Sequence, residues 1–128
     1  MKIEHAAYQV ADPVRVGAWW VEHLGLTLKR VQDAPPYGRF LADAGDHVMI
    51  EIYFNPNAPV PDYASINPAV LHLAFYTENV AATRDRLIKA GATAVGDISV
   101  NSAGDELAML RDPWGFAVQL VKRAEPML

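Results

Sequence analysis

Apolar and polar positions along the first 54 residues predict one helix and four strands. Asp12 and Pro13 are typical of a helix start, because an aspartate accepts free N–H groups of the first turn and proline suits the first helical position. Gly25 can end this helix in the left-handed conformation. The apolar positions that share one face of the predicted helix are Val14, Gly17, Ala18, Val21 and Leu24. The predicted strands cover residues 3–10, 26–31, 39–42 and 47–54.

The same order of elements recurs after a proline-rich loop. This loop, residues 55–69, contains four prolines, and long loops of this kind often cover a binding site. Asn79 can cap a second helix that runs to about residue 90. Its inner positions are Val80, Leu87 and Ile88. Strands are predicted over residues 70–77, 94–100, 107–110 and 116–122. The predicted order is βαβββ–loop–βαβββ, a single domain over residues 1–128 with module one at about 1–54 and module two at about 70–123.

Special residues fall at matched places in the two predicted modules. His5 and His72 are 67 residues apart, and each lies near the start of the first strand of its module. The two helix caps, Asp12 and Asn79, are also 67 residues apart. Similarity at a fixed period is the signature of a structural repeat. We therefore predict that the chain contains two copies of one module.

The last strand of each module offers a side chain that ends in a carbonyl-type oxygen. A shift of 68 residues aligns Glu51 with Gln119. If the modules pack about a pseudo-twofold axis, four side chains converge on one cavity: His5, Glu51, His72 and Gln119. Two imidazoles, a carboxylate and an amide oxygen suit a divalent metal such as Zn, Ni, Mn, Co or Fe. Four protein ligands of an octahedral ion leave two positions for water or substrate, as a catalytic metal needs.

Each of these residues has an ordinary explanation when taken alone. A histidine in an apolar strand is usually a core residue that hydrogen-bonds locally. Glu51 alternates with Ile50 and Ile52, so a solvated face of the strand explains it as well. The metal hypothesis depends on the matched placement of all four residues. Arg39 and Arg111 are further candidates to bind an anionic group, although surface ion pairs explain them too.

Composition narrows the class of protein. The chain of 128 residues is 52% hydrophobic and 20% charged, which is typical of one globular domain. Its net charge of −4 offers no basic surplus for phosphates, so nucleic acid is not an expected partner. There is no cysteine, which excludes disulfides and thiolate chemistry and agrees with a reducing compartment. No apolar run has the length of a signal peptide core or a membrane span, so a cytoplasmic protein without membrane contact is expected.

The segments "HAAYQVADP…EHLGL", "VMIEIY", "LHLAFYTEN" and "RDPWGFAVQLV" resemble the vicinal-oxygen-chelate superfamily. This superfamily includes glyoxalase I, extradiol dioxygenases, bleomycin resistance proteins and methylmalonyl-CoA epimerase. The resemblance implies an α+β fold in which two βαβββ modules form a curved, eight-stranded mixed sheet around a metal. It implies that His5, Glu51, His72 and Gln119 are the metal ligands. It also implies a small-molecule substrate and a homodimer, with the site either within one chain or between subunits.

Gln119 departs from the pattern of glyoxalase I, where this position is usually a glutamate that also acts as the base. An amide can bind a metal but cannot serve as a base near neutral pH. The role of base then passes to Glu51, with Tyr8, Tyr53 or a metal-bound water as alternatives.

Three functions are compatible with these observations. The first is a divalent-metal-dependent, glyoxalase-like lyase or isomerase that stabilises an oxyanion and transfers a proton. The second is an extradiol-type dioxygenase, which Gln119 disfavours because such enzymes place an acid on the last strand. The third is a metal-free binding protein of the bleomycin-resistance type, which has no need of a complete ligand set.

Overall fold

The structure, a computed structural model, describes residues 1–127. The chain divides into two compact units, one from Met1 to Pro61 and the other from Asp62 onward. Neither helix of residues 1–127 combines the length and the apolar character needed to cross a bilayer. Each unit is described by itself below.

The first unit contains one helix and a four-stranded sheet. Its elements are β1 (Ala6–Gln9), α1 (Pro13–Leu24), β2 (Thr27–Val31), β3 (Arg39–Ala42) and β4 (Met49–Tyr53). The strand order is β1-β4-β3-β2, with β1 and β4 parallel and the other pairs antiparallel. The helix α1 returns the chain to the same end of the sheet, so β2 runs in the direction of β1. The two antiparallel turns from β2 to β3 and from β3 to β4 then make β4 parallel to β1.

The second unit repeats this arrangement after a short 3₁₀ helix, Tyr63–Ser65. Its elements are β5 (Leu73–Tyr76), α2 (Val80–Lys89), β6 (Thr93–Val100), β7 (Glu106–Arg111) and β8 (Ala117–Lys122). The order β5-β8-β7-β6 is equivalent to that of the first sheet, and β5 and β8 are the parallel pair. The predicted α+β fold class is confirmed, with the eight strands hydrogen-bonded as two four-stranded sheets.

Both predicted helix starts are confirmed. The Asp12 carboxylate accepts the N–H of Arg15 at 3.0 Å, and Asn79 Oδ1 accepts the N–H of Ala82 at 2.9 Å. Gly25 ends α1 with φ of +74°, a conformation that glycine adopts without steric cost. These local signals depend on a few neighbouring residues, so the sequence predicts them well.

The predicted inner face of α1 is correct at Gly17 but otherwise wrong by one position. The buried residues are Pro13, Val16, Gly17, Trp19 and Trp20, whereas Val14 and Val21 are exposed. Both sets have helical spacing, but the fully buried indole of Trp20 outweighs the smaller side chains of the other stripe. Gly17 allows close packing of the helix, since a Cβ there would lie 3.3 Å from Cγ of Arg39. In α2, Val80 and Leu87 are buried as predicted, but Ile88 is exposed.

Candidate metal-binding site

The first unit brings His5 and Glu51 together. His5 immediately precedes β1, and the parallel register sets Ala7 of β1 opposite Glu51 of β4. The Nε2 atom of His5 lies 3.3 Å from Oε2 of Glu51. The Glu51 side chain is 18% exposed, so its carboxylate is largely, though not fully, removed from water. An imidazole nitrogen and a carboxylate oxygen are thus adjacent at one edge of the first sheet.

The second unit places His72 and Gln119 at equivalent positions of its sheet. His72 immediately precedes β5, and the register sets Ala74 of β5 opposite Gln119 of β8. In both units the histidine therefore comes two residues before the partner of the Glu or Gln. The residue offset that relates the two modules in the sequence therefore corresponds to equivalent positions in the two sheets.

The Nδ1 atom of each histidine is already hydrogen-bonded. His72 Nδ1 lies 2.7 Å from the carbonyl oxygen of Pro68, and His5 Nδ1 bonds the Glu4 carboxylate. A carbonyl oxygen can only accept, so Nδ1 of His72 carries the proton and Nε2 holds the free lone pair of the neutral ring. Histidine ligands of metals typically donate their other N–H in this way, which fixes the ring and its tautomer.

The carbonyl that orients His72 is itself held by a turn. The Oδ1 atom of Asn67 accepts the N–H of Ala69 at 2.9 Å, and its backbone oxygen accepts the N–H of Val70 at 2.8 Å. The Pro68 carbonyl lies inside this turn. The orientation of the imidazole is therefore set by local backbone structure and not by a flexible side chain.

Acidic neighbours alter the protonation of His5. The hydrogen bond to Glu4 is the largest cause that raises the pKa of His5 above its ordinary value, and burial opposes it. The negative charges of Glu4 and Glu51 raise the pKa further. A cation at Nε2 would be stabilised by the same charges, because they favour positive charge at this position. The surroundings of His5 therefore favour a positively charged occupant.

Burial acts on the pKa of the Tyr8 phenol in the direction opposite to its effect on His5, whose pKa it lowers. It raises the pKa of the Tyr8 phenol above the ordinary value near 10, so this group is harder to ionise. A phenol of this kind is a poor base at neutral pH. Among the alternatives to Glu51 raised by the sequence, Tyr8 is therefore disfavoured.

Strand alternation determines where Glu51 points. In β4, Ile50 and Ile52 are buried, with exposed fractions of 7% and 0%, while Glu51 and Tyr53 lie on the other face. The predicted orientation of Glu51, away from the aliphatic side, is confirmed. On this face Glu51 also lines a pocket of about 510 Å³. The residues around the pocket are Pro35, Pro36, Glu51, Tyr53, Asn55 and Pro56.

An aromatic residue lies beside Glu51 on the neighbouring strand. Phe40 of β3 is the register partner of Glu51, and its ring meets the His5 ring edge-on, with centroids 5.8 Å apart. The Arg30 guanidinium lies over the same ring, 5.8 Å from its centroid. Met109 of β7 is the equivalent partner of Gln119. No pattern in the sequence predicts these contacts, because they depend on strand register.

Arg39 and Arg111 support the backbone. Arg39 is buried, and its Nη1 donates to the carbonyl oxygens of Gln32, Tyr37 and Gly38 at 2.8–3.2 Å. Arg111 donates to the carbonyls of Tyr63, Ile66 and Gly115 at 2.8–2.9 Å. Neither the expected anion-binding role nor the surface ion pair describes these contacts.

The donor set fits a transition-metal ion in kind. Each unit supplies one imidazole nitrogen and one oxygen from a carboxylate or amide, which are ligands of first-row divalent metals. Within residues 1–127, no group of three or more His, Cys, Asp or Glu side chains is arranged to hold a metal ion. The candidate ligands are therefore described as two pairs, one in each unit: His5 with Glu51 and His72 with Gln119.

Comparison with known proteins identifies the family. A model of the Glyoxalase/Bleomycin resistance protein/Dioxygenase superfamily matches residues 2–120. The chain belongs to this superfamily, and the resemblance seen in its sequence is confirmed.

Individual relatives are more distant. The lactoylglutathione lyase of Salmonella typhimurium is 25% identical over 128 residues, which cover 95% of this chain and 93% of that protein. An ethylmalonyl-CoA/methylmalonyl-CoA epimerase of Cereibacter sphaeroides is 27% identical over 100 residues, covering 74% of this chain and 75% of the epimerase. The crystal structure of a glyoxalase family protein from Bacillus cereus matches the fold with a TM-score of 0.82 at 17% identity. That match covers 98% of this chain and 95% of the other.

Proposed function

We propose that this protein is a divalent-metal-dependent, glyoxalase-like enzyme that acts on a small substrate with two neighbouring oxygens by proton transfer. The metal ligands are His5, Glu51, His72 and Gln119. The observation that carries the proposal is the equivalence of the two pairs, in which a histidine comes two residues before the register partner of Glu51 or Gln119. One such pair has several ordinary explanations. Two pairs at the same sheet position, in units of the same topology, favour a shared function.

The relatives support the class of reaction. One is named as a lactoylglutathione lyase and the other as an ethylmalonyl-CoA/methylmalonyl-CoA epimerase. A bound divalent ion supplies Lewis acidity, which stabilises negative charge that develops on substrate oxygens. The ion is Zn, Ni, Mn, Co or Fe, since these share nitrogen and oxygen ligands.

The residues of this chain have distinct roles under the proposal. The Nε2 atoms of His5 and His72 bind the ion, and the Nδ1 hydrogen bonds orient the rings. Gln119 contributes an amide oxygen. Glu51 is both a ligand and the base, because it is the carboxylate of the set and lies at the wall of a pocket. The pocket admits the substrate.

Metal analysis of purified variants tests the proposal. The wild-type protein and His5→Ala, His72→Ala and His47→Ala are loaded with each candidate metal, dialysed and analysed for bound ions. We expect the wild type to retain the ion and the His5→Ala and His72→Ala proteins to lose most of it. His47→Ala is the matched control, because His47 is exposed and belongs to neither pair. Equal metal content in all four proteins would show that the two pairs do not bind metal.

Turnover is then measured with the metal found. The substrates are the hemithioacetal of methylglyoxal with a thiol and, separately, an acyl-CoA with an exchangeable α-proton. Solvent deuterium incorporation reports proton transfer in both cases. A mixture of His5→Ala and His72→Ala chains separates the two possible locations of the site. Recovery of metal binding on mixing indicates a site shared between subunits of a homodimer, and no recovery indicates a site within one chain.

A further inference from the structure

We infer that the pocket beside Glu51 binds a compact, uncharged apolar or aromatic group of the substrate and disfavours groups that carry carboxylates or phosphates. This inference rests on the proposed function, since Glu51 is the residue that joins the pocket to the proposed metal site. It goes further by naming the class of substrate group that the pocket accepts.

The lining of the pocket is mostly apolar. Three of its six residues are prolines, and Tyr53 adds an aromatic ring. Asn55 is the one uncharged amide among them. The volume of about 510 Å³ lies within the range of about 300–1,000 Å³ that is usual for small-molecule sites. An apolar wall with few polar groups contributes affinity by removing apolar ligand surface from water.

The charge of the pocket opposes anionic ligands. No residue lining it, in the described part of the chain, carries a positive charge, and Glu51 is its carboxylate. Arg39 belongs to the adjoining hairpin, but its guanidinium is engaged with three backbone carbonyls. Arg30 lies over Phe40 and is not a lining residue. A carboxylate or phosphate that entered this pocket would lose hydration without gaining a cationic side chain among the lining residues.

Hydrogen bonds fix the walls of the pocket on both sides. The N–H of Phe54 donates to the carbonyl of Pro36 at 2.8 Å, which ties the proline segment to the end of β4. On the other side, Gln9 Oε1 accepts the N–H of Asn55 at 2.9 Å, while its Nε2 donates to the Asn55 carbonyl at 2.6 Å. Walls fixed in this way select ligands by shape, since little ordering is required on binding. The pocket is therefore a preformed site for a compact group.

Binding of three hydroxamates tests the inference. Each probe chelates a metal through the same two oxygens, and only the attached group differs: methyl in acetohydroxamate, phenyl in benzohydroxamate, and a carboxylated phenyl in 4-carboxybenzohydroxamate. Calorimetry on the metal-loaded protein measures the three dissociation constants. We expect benzohydroxamate to bind about tenfold or more tighter than acetohydroxamate, because burial of a ring contributes at least this factor. The carboxylated probe should lose that gain.

A substitution that adds charge provides a gain-of-function test. Asn55→Lys places a cation at the pocket and should tighten binding of the carboxylated probe relative to benzohydroxamate. Asn57→Lys adds the same charge to an exposed residue outside the lining and should leave the ratio unchanged. Thermal unfolding of both variants checks that they are folded. Equal affinity of the wild type for all three probes, or tighter binding of the carboxylated one, would overturn the inference.

A second measurement on metal-free protein separates this inference from the proposed function. Benzohydroxamate should shift the backbone amide NMR signals of Glu51, Tyr53 and Asn55, and the carboxylated probe should shift them less. If the protein takes up no metal but shows this selectivity, the proposed function fails and the pocket assignment stands. If it takes up metal but shows no preference for the ring, the reverse holds.

Discussion

Glu51 lies between two different surroundings. One carboxylate oxygen is 3.3 Å from the imidazole of His5, and the side chain also lines the pocket formed with Tyr53 and Asn55. A residue in this position can bind a metal ion and still face a substrate. This dual position is the physical basis for assigning the base to Glu51, since Gln119 cannot accept a proton near neutral pH.

Replacement of Glu51 by glutamine separates its two proposed roles. An amide oxygen still binds a metal, so the Glu51→Gln protein should retain much of its ion. It cannot accept a proton, so kcat should fall by about 10²–10⁴-fold, the usual contribution of a general base. Metal analysis and solvent deuterium incorporation measure the two effects on one sample. Glu125→Gln, an exposed position in the C-terminal segment, is the control. Unchanged proton transfer in Glu51→Gln would assign the base elsewhere.

Residue types and offsets predict the two pairs but not the orientation of their rings. His5, Glu51, His72 and Gln119 can be compared because strand registers repeat with the period of the module. The carbonyl of Pro68, which fixes His72, has no signature in the sequence, since every residue carries a carbonyl. Which carbonyl faces the ring depends on the fold of the turn.

At the scale of elements, the segment before β5 is tied to the turn between β7 and β8. The Arg111 guanidinium donates to the carbonyls of Tyr63 and Ile66 on one side and of Gly115 on the other. Gly115 has φ of +88°, and a Cβ there would lie 2.7 Å from Cβ of Ala64. The segment therefore packs directly against the backbone of the turn. It is held by polar bonds and by a contact that leaves no room for a side chain.

Loss of the Arg111 guanidinium should destabilise the second unit. In Arg111→Met, three carbonyl oxygens lose the guanidinium donor, although that of Tyr63 still accepts the N–H of Ile66, and the aliphatic stem is retained. We expect the free energy of unfolding to fall by about 2–4 kcal/mol, since a buried unsatisfied group costs about 1–3 kcal/mol and some carbonyls will bind water. Arg111→Lys should recover only part of the loss, because an ammonium cannot reproduce the planar fork. Urea denaturation measures all three proteins, and equal stability would refute the structural role.

Asp105 holds the chain that follows β8. Its carboxylate accepts the N–H of Ala124 at 2.9 Å, Arg123 Nη1 at 2.7 Å and Asn101 Nδ2 at 3.1 Å. These bonds, led by that from the Ala124 backbone, lower the pKa of Asp105 below its ordinary value. A lowered pKa in the folded state means that the ionised form stabilises the fold. This contribution is complete above the pKa of the unfolded chain, about 3.9, and is lost as pH falls through the lower folded value.

The Asp105→Asn protein should therefore differ most from the wild type at neutral pH. Its free energy of unfolding should be lower at pH 7, and the gap should narrow as the pH falls below about 4, where Asp105 of the wild type also becomes neutral. Urea titrations at several pH values between 7 and 3 measure the gap. Asp97→Asn, on the exposed strand β6, is the control. A gap that stays constant over this range would contradict the assignment of the lowered pKa to the folded state.

Periodicity predicted the existence of the elements better than their faces. The predicted stripe of α1 and the buried stripe have the same spacing and differ by one position, so spacing alone cannot choose between them. The choice depends on which element covers the helix, and the burial of Trp20 shows which stripe is covered. The ends of the strands also differ from the predicted ends, because hydrogen-bond partners decide where each strand begins. His5 and His72 thus lie just before their strands and not inside them.

At the scale of the molecule, the duplicated topology was the strongest prediction of the sequence. Eight strands and two helices at a repeated offset restrict the fold to few arrangements, and the two sheets have equivalent strand orders. The pocket could not be predicted. Its prolines at 35 and 36 belong to a segment whose sequence indicates only a turn, and their position depends on the bond between Phe54 and Pro36.

Metal binding should stabilise both units together. Under the proposal each unit supplies one pair of ligands, so an ion bound by all four stabilises the fold by about 2.7 kcal/mol at a free concentration 100 times its dissociation constant. Hydrogen exchange should then slow in β1 and β4 and equally in β5 and β8. A chelator should reverse the effect, and the His72→Ala protein should not show it. Slower exchange in one unit alone would indicate that a single pair binds the ion.

The contacts of Gln9 and Arg111 also have a consequence for the length of the connecting chain. Gln9 Nε2 donates to the carbonyl of Ala58 at 2.9 Å, and Arg111 anchors the chain again from Tyr63 onward. Between these two hydrogen-bonded attachment points, residues 59–62 are mostly exposed and belong to no helix or strand. Extra residues inserted there would leave both sheets intact. We therefore expect this short segment to tolerate inserted residues, whether they arise naturally or by design.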